Sequence, residues 1–439
     1  MIKTGALISI AVLLCSAACG PAPIDPKRQI GAHPYLPDIH EYLLPPMHVP
    51  SAGKWGDAKP TVAAGLQIKA LATDLKNPRS LYVLPNGDIL VVETDGPPAP
   101  VSRPKEFIMN LIEKQAHSNT KAGNRIILLR DADGDGVPEL RTVFLDGLNS
   151  PFGVVLVGND LYVANTDGIM RFAYQTGQTQ ITAAGTKLCD LPGGPIDHHW
   201  TKSLTASPDG TKLYAGVGSN SNITENGIGA ELDRAAIWEI DRATGAHRLF
   251  ATGLRNPNDL QFEPQTHALW AVVNERDEIG PDLVPDYMTS VKDGAFYGWP
   301  YSYYGQHVDP RVMPQRPDLV ARAIPPDYAL SSHVAPLGMV FYTGDNLPAA
   351  YRGGAFVGEH GSWDRTEYNG YRVVYVPFAG GRPNGMPQDV VTGFLNGDTA
   401  RGRPVGLAVD NKGGLLIADD IGNTVWRVTA TGKSVGAGR

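Results

Sequence analysis

Six times along the chain, a proline or its stand-in precedes a short apolar run, a turn and a second apolar run. The copies are residues 77–94 (NPRSLYVLPNGDILVVET), 150–167 (SPFGVVLVGNDLYVANTD), 200–218 (WTKSLTASPDGTKLYAGVG) and 256–274 (NPNDLQFEPQTHALWAVVN). Residues 335–359 form a fifth, interrupted copy that keeps APLGMVFY and GGAFVGE, and residues 403–420 (RPVGLAVDNKGGLLIADD) form the sixth. Short runs rich in Val, Ile, Leu and Tyr, bounded by Asn, Asp, Gly and Pro, read as paired strands. Further strands follow the copies, as in residues 236–241 running into 248–252, and residues 371–376. A unit of about four strands cannot bury both its faces alone, so the repeats have to pack on one another. Radial packing leaves few open edges. The expectation is an all-β chain folded as a six-bladed β-propeller, with a β-sandwich as the alternative. Insertions at residues 96–123, 277–328 and 347–353 are expected as loops on one face.

In a radial array, corresponding points of distant copies converge on the central channel. His199 stands just ahead of the third copy, behind the paired imidazoles His198-His199, where a rigid sheet can present it as a proton acceptor. Arg255 precedes the fourth copy, and Arg401 and Arg403 precede the sixth. Arginines gathered at one mouth suit an anionic ligand, because a guanidinium grips carboxylate or phosphate as a fork. Any one of them read alone is a surface charge with an acidic neighbour. Asp131, Asp133 and Asp135 alternate ahead of Gly136, which suits either a Ca²⁺ loop or a plain acidic turn. No Glu falls at the twelfth position of that loop, so an EF-hand is not expected. Trp299, Trp363, Tyr301, Tyr303 and Tyr304 offer flat surfaces for a sugar or planar cofactor, or packing between sheets.

At 439 residues the chain suits two or three ordinary domains, or one large all-β unit. A net charge of -7 without a basic stripe sets nucleic acid aside. Lys3, an apolar stretch at residues 6–14 and Ser16-Ala17-Ala18 before Cys19 read as an export signal over residues 1–19. Cys19 is a candidate lipid anchor, which makes the expected location periplasmic, soluble or membrane-anchored. Cys15 and Cys19 fall in that signal, so Cys189 is left without a disulfide partner. Residues 20–59, Pro-rich and without periodicity, read as a tether, and residues 60–439 as the catalytic unit.

Four stretches fit a known family: residues 199–209, Gly253-Leu254-Arg255-Asn256-Pro257, Tyr297-Gly298-Trp299-Pro300 and Arg401-Gly402-Arg403. Through them the chain resembles, over residues 65–430, the soluble pyrroloquinoline quinone (PQQ) dependent sugar dehydrogenases, especially the glucose/sorbosone dehydrogenase-like group. The resemblance implies a propeller with PQQ over its channel and His199 as the general base. It implies that Arg255 and Asn256 polarise the reacting quinone carbonyl, and that Arg401 and Arg403 hold the cofactor's carboxylates, with Arg365 standing in for a further cationic residue. It also implies a Ca²⁺ ion held by the main-chain oxygens of Arg276 and Asp277. The chain departs from the family where His198 replaces an acid, so the bond orienting His199 is expected from Asp197 or elsewhere. Residues 148–152 also replace a glutamine- and glycine-rich loop. The expected activity is oxidation of an aldose or related aldehyde, with a cytochrome or quinone taking the electrons. A Ca²⁺-dependent lactonase and a non-catalytic sugar-binding propeller are the alternatives.

Overall fold

The computed structural model describes residues 24–41, 47–98 and 121–432. The export signal with Cys19, and most of the first insertion, lie outside these residues. Each of the six copies forms the first two strands of one antiparallel sheet. The first sheet is Pro78–Val83, Ile89–Glu93, Arg125–Arg130 and Leu140–Leu145. The second is Val154–Val157, Asp160–Asn165, Gly168–Ala173 and Thr186–Asp190. The third is Lys202–Ala206, Lys212–Val217, Ala236–Asp241 and His247–Thr252. The fourth is Asn256–Phe262, Leu269–Asn274, Pro285–Ser290 and Tyr328–Ser332. The fifth is Pro336–Phe341, Ala355–Glu359, Arg372–Val376 and Gln388–Thr392.

The sixth sheet is Pro404–Val409, Leu415–Asp419 and Thr424–Ala430, completed by Leu66–Ala72 from the other end of the chain. That closing strand lies ahead of the first copy and was not among the strands read from the repeat. Nor is the stretch 277–328 a plain loop. It contributes Pro285–Ser290 as a third strand, then a short pair, Ser302–Tyr303 with His307–Val308.

The second strand of every sheet is apolar without alternation, because both of its faces are covered. Leu90 and Val92 pack with Leu161 and Val163 of the second sheet, while Ile89 and Val91 pack with Leu416 and Ala418 of the sixth. Equivalent cores join the second sheet to the third, the third to the fourth, the fourth to the fifth and the fifth to the sixth. The first strands touch one another in the same order and return from the sixth sheet to the first. Between them runs a narrow channel of about 120 Å³, lined by residues from all six sheets, Asp259 and Gln261 among them.

The recurring proline has a physical cause. In the first, fourth, fifth and sixth sheets a register shift falls immediately after Pro78, Pro257, Pro336 and Pro404. Proline donates no N–H and is tolerated at a strand start or a bulge. Close approach of the inner strands then requires glycine: a Cβ on Gly406 would lie 2.7 Å from the Arg79 carbonyl, and one on Gly338 would collide with the Val405 carbonyl.

The leader, expected as a tether, is instead fastened to the sheets. Ile30–Gly31 adds to the edge of the fourth sheet, Ser51–Ala52 pairs with Thr399–Ala400, and just beyond the leader Thr61–Val62 adds to the fifth. Gln29 and Trp55 are its buried anchors. No helix among the described residues is long and apolar enough to cross a membrane.

Candidate active site

In each sheet the first strand begins where the antiparallel second strand ends, so these ends share one face of the ring. There the apolar second strands stop at polar steps: Glu93-Thr94, Asn165-Thr166, Ser219-Asn220, Asn274-Glu275, Glu359-His360 and Asp419-Asp420, most of them buried. His199, Arg255, Asn256, Arg276, Asp277, Arg365, Arg401 and Arg403 all sit at this face. The Asp131–Asp135 loop follows a third strand and lies at the opposite end. Its carboxylates and that of Glu139 lie within 4.8 Å of one another. The Lys412 ammonium reaches in, donating to the Gly134 carbonyl at 2.7 Å and pairing with Asp131 at 3.3 Å.

His199 and Arg255 form one half of the face. His199 Nδ1 lies 2.9 Å from the Ser219 carbonyl and 3.0 Å from its hydroxyl. Because a carbonyl only accepts, the proton sits on Nδ1 and Nε2 keeps a lone pair. Burial, with help from Arg255 and His198, holds the imidazole well below the usual histidine range, so it is neutral. Ser219, rather than Asp197, therefore orients it. Asp197 is buried beneath, paired with Arg234 at 3.0 Å and with Lys202. Thr166 also donates to it.

Arg255 is committed to the protein. Its Nε donates to the Asn222 carbonyl at 3.2 Å, Nη1 to the Glu275 and Asn274 carbonyls at 2.5 and 3.4 Å, and Nη2 to Asn222 Oδ1 and Asp277 Oδ2 at 3.0 and 3.1 Å. Five N–H groups meet five acceptors, so none is left over to polarise a carbonyl. Beside it, the Oδ1 of buried Asn256 has no partner. Asn222 is the hub that sequence reading missed. Its side chain also bonds the main-chain N–H and carbonyl of Asp277, and its carbonyl takes the Trp299 indole at 3.0 Å.

Arg403 and His360 form the other half. His360 Nε2 lies 2.9 Å from Asp420 Oδ2, which also pairs with Arg79 at 2.7 Å. Burial outweighs Asp420 and pulls the imidazole down to about 4, so this histidine too is neutral, with Nδ1 as its second nitrogen. Arg403 is buried over the Tyr371 ring, 5.3 Å from its centre, and its Nε and Nη2 have no partner. The neighbouring Arg79 Nε is likewise unpaired. Arg401 is half-buried on the same edge.

Between the halves lie Asp277, His333 and Asp364, with ligand atoms within 4.8 Å of one another. His333 is 3.2 Å from Asp277, and although burial pulls it down, Asp277 and Asp364 push it up to about 9. The Asp277 carbonyl, expected to face a calcium ion, instead accepts from Asn222 and Arg311. Arg276 is fully buried as a strut to Asp309 and to the Pro300 and Ser302 carbonyls. Arg365 is braced against Asp282 at 2.8 Å, and its buried Nη1 has no partner. The aromatic cluster is mostly packing: Trp299, Tyr303 and Tyr304 are buried.

Residues 159–362 match the model of the glucose/sorbosone dehydrogenase family. The resemblance read from the residues is borne out. Residues 318–431 match a second model, described as TrAA12-like. An uncharacterized protein of Borreliella burgdorferi is 26% identical over 338 residues, which cover 73% of this chain and 87% of that one. The holo PQQ domain of a pyranose dehydrogenase from Coprinopsis cinerea superposes with a TM-score of 0.66 at 20% identity, covering 84% of this chain and 97% of that domain. A calcium structure of a Trichoderma reesei enzyme of family AA12 gives 0.68 at 19% identity, covering 88% and 99%. At these identities the superpositions establish the fold. The similarity to the glucose/sorbosone dehydrogenase family rests on residues 159–362.

Proposed function

We propose that the chain is a PQQ-dependent dehydrogenase that oxidises an aldose or related aldehyde, built on a six-bladed β-propeller spanning residues 60–439. The observation that carries the reading is Arg403, whose two buried N–H donors lack an acceptor on the same face as two neutral imidazoles. Leaving a buried charged donor unpaired costs about 1–3 kcal/mol or more, which a carboxylate-bearing ligand would relieve. PQQ carries carboxylates, and Arg403 with Arg79 would hold one. When bound, PQQ supplies the hydride acceptor.

The remaining work falls to the chain. His199 Nε2 takes the proton from the substrate hydroxyl, with Nδ1–H anchored on Ser219 so that the ring cannot turn. Arg255 holds the Asn222–Asp277 frame, and Asn256 is the neighbour with spare hydrogen-bonding capacity. His360 is the second candidate for the base, favoured by its carboxylate partner, Asp420. A calcium ion on this face would be held by the carboxylates of Asp277 and Asp364, since the Asp277 carbonyl is taken. We place the enzyme outside the cytoplasm, anchored through Cys19 or released, with a cytochrome or quinone receiving the electrons.

Titration with PQQ, in Ca²⁺ and in EDTA, followed by visible absorption, tests the reading. Saturable binding and sugar-dependent dye reduction across an aldose panel are expected. Absence of a PQQ complex under both conditions would overturn it.

A further inference from the structure

We infer that the N-terminal segment 47–62 is a positioning device of the site, in which Trp55 acts through Asp419 to set Arg403 and the Asp420–His360 pair. The inference rests on the reading of Arg403 as holder of an anionic cofactor. Asp419 is the knot. Its Oδ2 accepts the Trp55 indole at 2.7 Å and the Trp426 indole at 3.0 Å, and its Oδ1 accepts the main-chain N–H of Arg403 and of Gly422, each at 2.8 Å. One carboxylate thus ties the leader, the residue that grips the ligand and the turn that follows. The next residue, Asp420, is the partner of His360 and Arg79.

The packing around this carboxylate explains two glycines. A Cβ on Gly402 or on Gly422 would collide with the Asp419 side chain, so both flanks of the knot must be bare. A second tether acts on the same stretch. Ser51–Ala52 runs parallel to Thr399–Ala400, and the Gly53 N–H donates to the Ala400 carbonyl at 2.7 Å, three residues ahead of Arg403. Trp55 also fills a hydrophobic corner against Phe394 and Trp426, with ring centres 5.7 and 5.2 Å away. Packing and hydrogen bonding can therefore be separated by substitution.

The experiment uses the full chain with Trp55→Phe, which keeps a ring in the corner and removes the donor. Hydrogen exchange followed by mass spectrometry should show residues 400–405 and 419–423 opening about tenfold faster, with the second and third sheets unchanged. PQQ should bind about tenfold more weakly. Trp55→His, which restores a ring N–H, should recover most of that affinity. Phe394→Leu, which loosens the corner and leaves the carboxylate bonded, should lower Tm without weakening PQQ binding. Unchanged exchange at residues 400–405, uniform acceleration across all sheets, or equal loss of PQQ binding in Phe394→Leu would each overturn the inference. If the wild-type chain binds no PQQ, the cofactor reading fails, and the exchange pattern alone decides whether the segment positions Arg403.

Discussion

The two halves of the site face contain the same chemistry, an arginine beside a neutral histidine, in opposite states of completion. Around Arg255 every N–H has an acceptor, and the acceptors are carbonyls, an amide and a carboxylate fixed where the second strands of the third and fourth sheets end. Around Arg403 the backbone is tied down while the guanidinium keeps two buried donors unmatched. The first arrangement is a frame, stable without a ligand. The second is a socket, in which desolvation has been incurred and its compensation is missing. An arginine at a channel mouth therefore says little by itself; which of its N–H groups lack partners says much more.

The largest test of this comparison is catalytic. His199→Ala should lower turnover by about a thousandfold, within the range general-base removal produces, with PQQ affinity changed by less than about threefold. His360→Ala should instead weaken PQQ binding. Turnover lost chiefly in His360→Ala would move proton abstraction to the socket side.

A smaller effect separates the arginines. Arg403→Lys should weaken PQQ about a hundredfold with little change in Tm, because an ammonium cannot reproduce the fork. Arg255→Lys should do the reverse and cost stability of about 2–4 kcal/mol, since it strands buried acceptors on Asn222, Asp277 and Glu275. Matched calorimetry and PQQ titrations of the two variants would show whether frame and socket are distinct.

The smallest effect is in pH. His333 gains its proton from the folded state, with a value near 9 against an ordinary 6.5. Its contribution to stability is complete below about pH 6.5 and is lost as pH rises through about 9. In EDTA, Tm should decline over that alkaline window, and His333→Gln should flatten the decline. An unchanged slope in the variant would remove His333 from the frame.

Much of this architecture was legible because it repeats. The six copies predicted the first two strands of each sheet within a few residues, and their prolines mark real bulges. The positions of His199, Arg255 and Arg403 on one face followed from the same phase. What escaped detection does not repeat. Trp55 and Gln29 bury single side chains in an otherwise aperiodic leader, so no alternation announces them. Asn222 is one polar residue among many in SNSN, distinguished only by what surrounds it. Asp420 was readable in principle: polar residues end every second strand, and Asp419-Asp420 is the step at which two acids are adjacent. Arg276 and Arg365 were harder to read, because a guanidinium that struts the fold, as these do toward Asp309 and Asp282, has the same letter as one that holds a ligand.

The sixth sheet is assembled from segments far apart in the sequence, with Leu66–Ala72 paired to Thr424–Ala430. Leu66–Ala72 has no mate in this sheet until Thr424–Ala430 has been made, so the sheet forms only after every residue between the two has been synthesised. Any intermediate before that moment presents two unpaired strand edges to its surroundings. Closure of this sheet therefore comes after the other five have been synthesised, and a chaperone that shields the two edges would act on a chain that already contains them.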